Sequence, residues 1–176
     1  KVRHVVNITD VGHLVSDADE GQDKLEKGAE REGKSVWEGA RHYTDAFKRD
    51  SQLLNILPPN DYHGKEDNYA RATDFIADQV ALVKILLDKG FAYQSEQAIY
   101  FDTSRLPTYG ELTGQKLSEK EVAARPDVVT DVNKRHPQDF ALWFFRVGRF
   151  KNHTMHWPSP WGDGFPGWHL ECSAII

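Results

Sequence analysis

The residues best suited to chemistry lie near the end of the chain, around its single cysteine. From 159 to 172 the sequence reads Ser-Pro-Trp-Gly-Asp-Gly-Phe-Pro-Gly-Trp-His-Leu-Glu-Cys. If residues 168–172 form a strand, alternate side chains face opposite ways, so that Trp168, Leu170 and Cys172 share one face. A wall carrying a thiol and an indole could hold a metal ion and a small ligand. It could equally be part of a core.

The composition limits which kinds of protein can carry such a wall. The chain has 176 residues, 39% of them hydrophobic, enough for one domain or a domain with an insertion. A single cysteine excludes an internal disulfide framework and agrees with a reducing compartment, so we expect a cytoplasmic protein without a membrane segment. Any metal site must then be completed by His, Asp or Glu. The net charge of -5 argues against a chain that mainly binds the nucleic-acid backbone.

Hydrophobic periodicity predicts the elements that must position these residues. A Val- and Ile-rich strand over 1–8 ends in a polar turn at Thr9 and Asp10. The acidic and basic segment 17–34 is typical of a solvated loop or a surface helix. The other predicted elements are a helix after the capping box Ser35–Glu38 that stops at Pro58, a helix over 71–89 with a left-handed cap at Gly90, a hairpin over 91–101, a short helix after Ser118 and a buried segment over 140–145.

Residue types alone leave the candidate site open. A lone cysteine such as Cys172 is commonly a small buried hydrophobe, and Trp168 can simply fill the core. His169 can be a structural histidine, while Thr9 and Asp10 can form a turn or a helix cap.

Six motifs in order nevertheless resemble those of the cysteinyl-tRNA synthetase family. They cover nearly the whole chain, and the closing block is the most specific. The motifs are Asn7-Ile-Thr-Asp-Val11, Leu54-Asn-Ile-Leu-Pro58, Arg71-Ala-Thr73, Tyr100-Phe-Asp102 with Tyr109-Gly110, Lys134-Arg135 with Pro137 and Asp139-Phe-Ala-Leu-Trp143, and Ser159-Pro-Trp-Gly162 with Pro166-Gly-Trp-His-Leu-Glu-Cys-Ser-Ala174.

The resemblance implies an internal segment of a class I synthetase catalytic domain. That domain is an α/β, Rossmann-like (HUP-type) nucleotide-binding fold with a parallel sheet and a connective insertion. On this interpretation residues 1–90 are its first half, 91–158 the insertion and 159–176 the start of its second half. The chain would then be truncated at both ends.

The family activates cysteine with ATP, and with Mg²⁺, to cysteinyl-adenylate and transfers it to tRNA(Cys). The resemblance implies an active-site zinc ion with Cys172 as a ligand, and substrate contacts from Thr9, Trp168 and His169. Zinc binds a substrate thiolate far better than the serine hydroxyl, so coordination can select the amino acid without an editing site. We expect the complete enzyme to be a monomer.

The family motifs that contact ATP are not found in this sequence, so it assigns no residue to the chemical step. We therefore expect the isolated chain to be inactive. Two departures from the family pattern stand out. Gly12-His13 replaces two acids found in many members, and Phe75 replaces a common histidine. Two alternatives remain: the related ligase of mycothiol synthesis, which joins cysteine to an amino sugar-inositol, and a non-catalytic interaction module that keeps the fold.

Overall fold

The computed structural model describes residues 2–12, 14–16, 20–60, 68–111, 134–167 and 170–176, with the backbone alone at 15, 16 and 20–22. In chain order its strands and helices are β1 (Asn7–Ile8), β2 (Leu14–Ser16), β3 (Glu20–Asp23), α1 (Lys24–Glu32), α2 (Val36–Leu53), β4 (Ala70–Arg71), α3 (Ile76–Asp88), β5 (Ala92–Gln94), β6 (Ala98–Phe101), β7 (Phe140–Phe145), β8 (Gly164–Pro166) and α4 (Leu170–Ile175). Short 3₁₀ turns cover Ala72–Phe75, Thr103–Arg105 and Gly148–Phe150. The helix predicted after Ser118 lies outside the described residues.

A mixed α/β architecture is confirmed, and its parallel part is small. β1 pairs with β4 in parallel, with Asn7 opposite Ala70 and Ile8 opposite Arg71. The strand predicted over 1–8 is therefore reduced to two residues in this structure. The reason lies in the partner segment. In this parallel register residues before Asn7 would pair with residues before Ala70, and Asn68 there has a left-handed φ of 59° that a strand cannot continue through.

A four-stranded antiparallel sheet, in the order β5-β6-β7-β8, forms the main core. The predicted hairpin is present as β5 and β6, and the predicted buried segment 140–145 is the central strand β7. One sheet face packs against α3 through Ile99, Trp143 and Val83. The opposite face buries a second aromatic cluster that includes Tyr100 and Phe165.

The start of α2 and the cap after α3 follow local signals in the sequence, whereas the predicted end of α2 at Pro58 is wrong. The helix ends at Leu53, because Asn55 adopts a left-handed φ of 54° before the proline is reached. The side chain of Ser35 accepts a hydrogen bond from the backbone N–H of Glu38, and the Glu38 carboxylate accepts one from the N–H of Ser35. This reciprocal capping box starts α2 as predicted. Past the end of α3, Gly90 has a φ of 74°, the left-handed conformation that the sequence predicts there.

The charged segment 17–34 contains α1, whose N-cap is a buried aspartate. Asp23 accepts hydrogen bonds through Oδ1 from the N–H groups of Leu25 and Glu26. Its Oδ2 lies 3.0 Å from Nε2 of His153, whose ring stacks on Phe165. Only 2% of Asp23 is exposed, so this carboxylate ties α1 to the antiparallel sheet.

The same carboxylate explains the glycine at position 12. A Cβ placed on Gly12 would lie 1.5 Å from Oδ2 of Asp23. Because Asp23 already fills that space, position 12 has no room for an acidic side chain in this fold.

The prediction of a strand over 168–172 is wrong at its described end. Residues Leu170–Ile175 form α4, which packs against α3 and the 3₁₀ turn at 72–75. Gly167 presses against β7, with its N–H bonded to the carbonyl of Leu142 at 2.8 Å, and β8 has already ended. Because residues two apart in a helix point in nearly opposite directions, Leu170 and Cys172 do not share a face. The alternation of apolar residues over so few positions fits both structures.

Candidate functional site

The polar end of β1 meets α4 at the cysteine. Asn7 is half-buried there. Its Nδ2 donates to the sulfur of Cys172 at 3.4 Å and to Oγ1 of Thr9 at 3.1 Å. One amide group therefore connects the first motif of the chain with its last. Two of the predicted site residues, Thr9 and Cys172, are brought together through Asn7, for which the sequence predicts no role of its own.

A signal for Asn7 was present in the sequence. Asn7 and Thr9 are two residues apart around the end of a strand, so their side chains emerge on the same side. The prediction of a strand that ends in a polar turn therefore contained the pairing. What the local sequence could not supply was the partner, because Cys172 lies 165 residues further along the chain.

A second contact fixes the turn that follows β1. Asp10 accepts hydrogen bonds from the backbone N–H of Thr73 at 2.9 Å and from its hydroxyl at 2.6 Å. Thr73 lies in the 3₁₀ turn that leads into α3, where free N–H groups need acceptors. Asp10 thus acts as a cap supplied from a distant segment. The motif at 7–11 is held by the motif at 71–73 on one side and by α4 on the other.

The surroundings of the cysteine sulfur favour the neutral thiol when no cation is bound. Burial raises the pKa of Cys172, and the carboxylate of its neighbour Glu171, which is buried, raises it further. A thiol of this kind is a weak nucleophile at neutral pH. It becomes a strong ligand when a cation compensates for the charge, because metal binding releases the proton.

Within the described ranges, no group of three or more His, Cys, Asp or Glu is arranged to hold a metal ion. A structural or catalytic zinc site takes at least three protein ligands. Of the ligand types zinc prefers, this part of the site supplies the sulfur of Cys172. Trp168 and His169, the two remaining predicted site residues, lie outside the described residues.

A buried carboxylate organises the motif at 134–139. Oδ1 of Asp139 accepts from the N–H and the hydroxyl of Thr103, both at 2.9 Å. Its Oδ2 accepts from the hydroxyl of Tyr93 at 2.8 Å and from the N–H of His136 at 3.2 Å. The Tyr93 oxygen in turn accepts from the N–H of Arg135. All four acceptor positions of a carboxylate that is 2% exposed are thereby used.

The protein is an α/β domain that combines an antiparallel sheet, β5-β6-β7-β8, with the small parallel pair of strands β1 and β4. The thiol of Cys172 lies at the polar end of β1. A family model described as "tRNA synthetases class I (C) catalytic domain" matches residues 1–176. The chain therefore belongs to this class I tRNA synthetase family. Its fold is thus the Rossmann-like α/β fold of class I synthetase catalytic domains.

Individual relatives narrow the similarity. The chain is 50% identical over 174 residues to "Cysteine--tRNA ligase 1" of Burkholderia lata, 47% to a "Cysteine--tRNA ligase" of Zymomonas mobilis and 45% to one of Treponema denticola. Each comparison covers 99% of this chain and 31–35% of the relative. The chain therefore spans about a third of the length of these relatives. None of the described helices is both long and apolar enough to cross a lipid bilayer.

Proposed function

We propose that the chain is part of a cysteine–tRNA ligase, which uses ATP and Mg²⁺ to activate cysteine to cysteinyl-adenylate and transfers it to tRNA(Cys). The observation that carries the proposal is the contact between the first and last family motifs, in which Asn7 joins Thr9 to the sulfur of Cys172. Family membership over residues 1–176 and the similarity to proteins named cysteine–tRNA ligase support the proposal.

The proposed roles follow the positions of these side chains. The hydroxyl of Thr9 is exposed at the polar end of β1, where it can contact an amino-acid substrate. Cys172 is proposed as a metal ligand, and Trp168 and His169, which precede α4, as further substrate contacts. Residues 1–90 and 159–176 would belong to the two halves of the catalytic fold, and 91–158 to the connective insertion. The complete ligase would act as a monomer in the cytoplasm.

Zinc suits the sulfur of Cys172, which is the metal-binding atom that the described part of the site presents. The sulfur of Cys172 is half-buried and receives an N–H from Asn7, and a donor of this type suits a sulfur ligand that carries negative charge. When bound, the metal supplies a Lewis acid that holds a second thiolate, that of the substrate, and discriminates against a hydroxyl. The further ligands would have to come from residues outside the described ranges.

The alternatives account for less. A ligase of mycothiol synthesis would use the same cysteine pocket with an amino sugar-inositol acceptor, but the relatives described above are named cysteine–tRNA ligases. A non-catalytic interaction module has no need for a hydroxyl and a thiol joined by one amide donor. If substitutions at Thr9 and Cys172 left the function of the full-length protein unchanged, the interaction module would be favoured.

The test replaces Cys172 by Ser in a full-length ligase that carries this chain. A neutral hydroxyl is a poor substitute for a thiolate ligand, so zinc content and cysteine-dependent pyrophosphate exchange should fall together. Elemental analysis and the exchange assay measure the two quantities. The matched control is Ser173→Ala, at the neighbouring exposed position of α4, which should retain both.

Two further arms make the test decisive. This chain alone should bind little zinc and catalyse no exchange, since its described residues contain no group of three or more possible metal ligands. Normal zinc content and exchange in the Cys172→Ser ligase would refute the proposed metal site. Exchange with an amino sugar-inositol acceptor and none with tRNA would identify the alternative ligase.

A further inference from the structure

Asn7 is the feature of the site that the proposed function does not yet explain. Its side chain is half-buried, and both of its amide hydrogens are used, one on the Thr9 hydroxyl and one on the Cys172 sulfur. Thr9 and Cys172 do not belong to the same turn. The amide therefore acts as a bracket between an exposed hydroxyl and a sulfur that come from opposite ends of the chain.

We propose that Asn7 is a positioning residue that sets the relative position of the Thr9 hydroxyl and the Cys172 sulfur. The inference rests on the proposed function, in which these two groups face the amino-acid substrate. A fixed spacing between them matters because a loosely held site loses most of its advantage when its groups shift by about 1 Å.

The chemistry of the amide fits this role better than any other side chain of the same size. A sulfur that binds a metal can only accept hydrogen bonds, so the group beside it must be a donor. Asn supplies two donors without adding charge. Asp has the same shape but supplies only acceptors at neutral pH. Its negative charge would repel the charged sulfur, and its lone pairs would face those of the sulfur. Leu fills a similar volume with no donor at all.

The residue next to Cys172 along α4 is a buried acid, which makes the donor more important. Glu171 is 4% exposed, so a carboxylate is buried one residue away from the sulfur. In the part of the chain that the structure describes, the side-chain amide of Asn7 donates to Sγ of Cys172. Removing the donor leaves the sulfur next to a negative charge without this compensation.

The first experiment uses the fact that Cys172 is the single cysteine of this chain. Alkylation by the neutral reagent iodoacetamide at fixed pH then reports on one sulfur. Asn7→Asp should slow alkylation roughly tenfold and Asn7→Leu roughly threefold, since a hydrogen bond to a charged group is lost in both and a repulsion is added in the first. The matched control is Asn60→Asp, which places the same charge at an asparagine bonded to the backbone of His4 and remote from the sulfur in sequence.

The second experiment uses the full-length ligase that carries this chain. Asn7→Leu should raise the KM for cysteine roughly tenfold with the KM for ATP unchanged, and should shift the thiolate-to-cobalt charge-transfer band of the Co²⁺-substituted protein. A merely structural role would lower the unfolding midpoint and change both KM values alike.

The outcomes separate this inference from the proposed function. Wild-type alkylation in Asn7→Asp, or equal slowing in Asn60→Asp, would overturn the positioning role whether or not the ligase is active. Slowed alkylation of the Asn7→Asp chain, together with no cysteine-dependent exchange by the full-length ligase, would leave the Asn7 contact standing and refute the proposed function instead.

Discussion

The buried carboxylate of Asp139 should be one of the most sensitive positions of the fold. Asp139→Asn keeps the shape of the side chain but retains one acceptor oxygen where the carboxylate has two. The Thr103 pair on Oδ1 and the Tyr93 and His136 pair on Oδ2 cannot both be kept, and the new NH₂ faces donors. Two hydrogen bonds to a charged group, each contributing about 1.5 kcal/mol, are lost.

The expected loss is somewhat smaller than the sum of the two bonds. Neutralising a buried side chain removes its desolvation cost, which offsets part of the roughly 3 kcal/mol and leaves a loss of about 2–3 kcal/mol in the free energy of unfolding. For a chain of 176 residues this corresponds to a decrease in Tm of about 4–12 °C. Urea unfolding followed by far-ultraviolet circular dichroism measures the free energy, and an unchanged m-value keeps the comparison valid.

Two controls test the reasoning. Asp88→Asn removes a carboxylate that is exposed and paired with Lys84 on the surface of α3, and it should cost less than about 0.5 kcal/mol. Combining Asp139→Asn with Tyr93→Phe should cost less than the two changes separately, because the two side chains share a bond. A loss below about 1 kcal/mol for Asp139→Asn, or full additivity with Tyr93→Phe, would refute the view that this network stabilises the fold.

The remaining predictions concern two glycines, Gly167 and Gly28, and the proposed substrate contact of Trp168. Gly167→Ala should destabilise the chain by more than about 2 kcal/mol, because a Cβ there would lie 1.9 Å from the carbonyl oxygen of Ala141. Gly28→Ala, in the open interior of α1, should stabilise the chain by about 0.5–1 kcal/mol. Thermal unfolding of both variants checks the contrast. Trp168→Ala in the full-length ligase should raise the KM for cysteine more than that for ATP in pyrophosphate exchange. Equal changes in both would point to general unfolding and would contradict a role in the amino-acid pocket.

Local signals predicted the elements whose causes are local. The capping box at Ser35, the left-handed glycine at 90 and the alternating hairpin residues each act within a few positions, and each is confirmed. The buried strand 140–145 was also readable, because a continuous apolar run between polar residues needs cover on both faces.

Elements set by distant partners were predicted poorly. The first strand is short because β4 is short, and α4 forms where residues 170–175 pack against α3. The role of Asp23 depends on His153, which is 130 residues away, so a charged stretch gave no sign of a buried cap. Of the candidate site, the resemblance implied a substrate contact for Thr9 and a zinc ligand for Cys172, and it predicted no role for Asn7, which connects them. Trp168 and His169 remain predictions.

The distance along the chain between the groups that form the site sets the order in which the molecule can be built. Asp10 meets Thr73 after 63 residues, but Asn7 meets Cys172 only after 165. At ordinary rates of synthesis of about 5–20 residues per second, the cysteine follows the asparagine by roughly 8–33 s. During that interval the hairpin and the contact of Asp10 with Thr73 have time to form, because a hairpin forms in about 1–10 μs and a chain of about 100 residues collapses within roughly 100 μs. The hydroxyl of Thr9 is thus in place on a partly folded scaffold before Cys172 is synthesised, and Asn7 meets the cysteine sulfur after these earlier contacts.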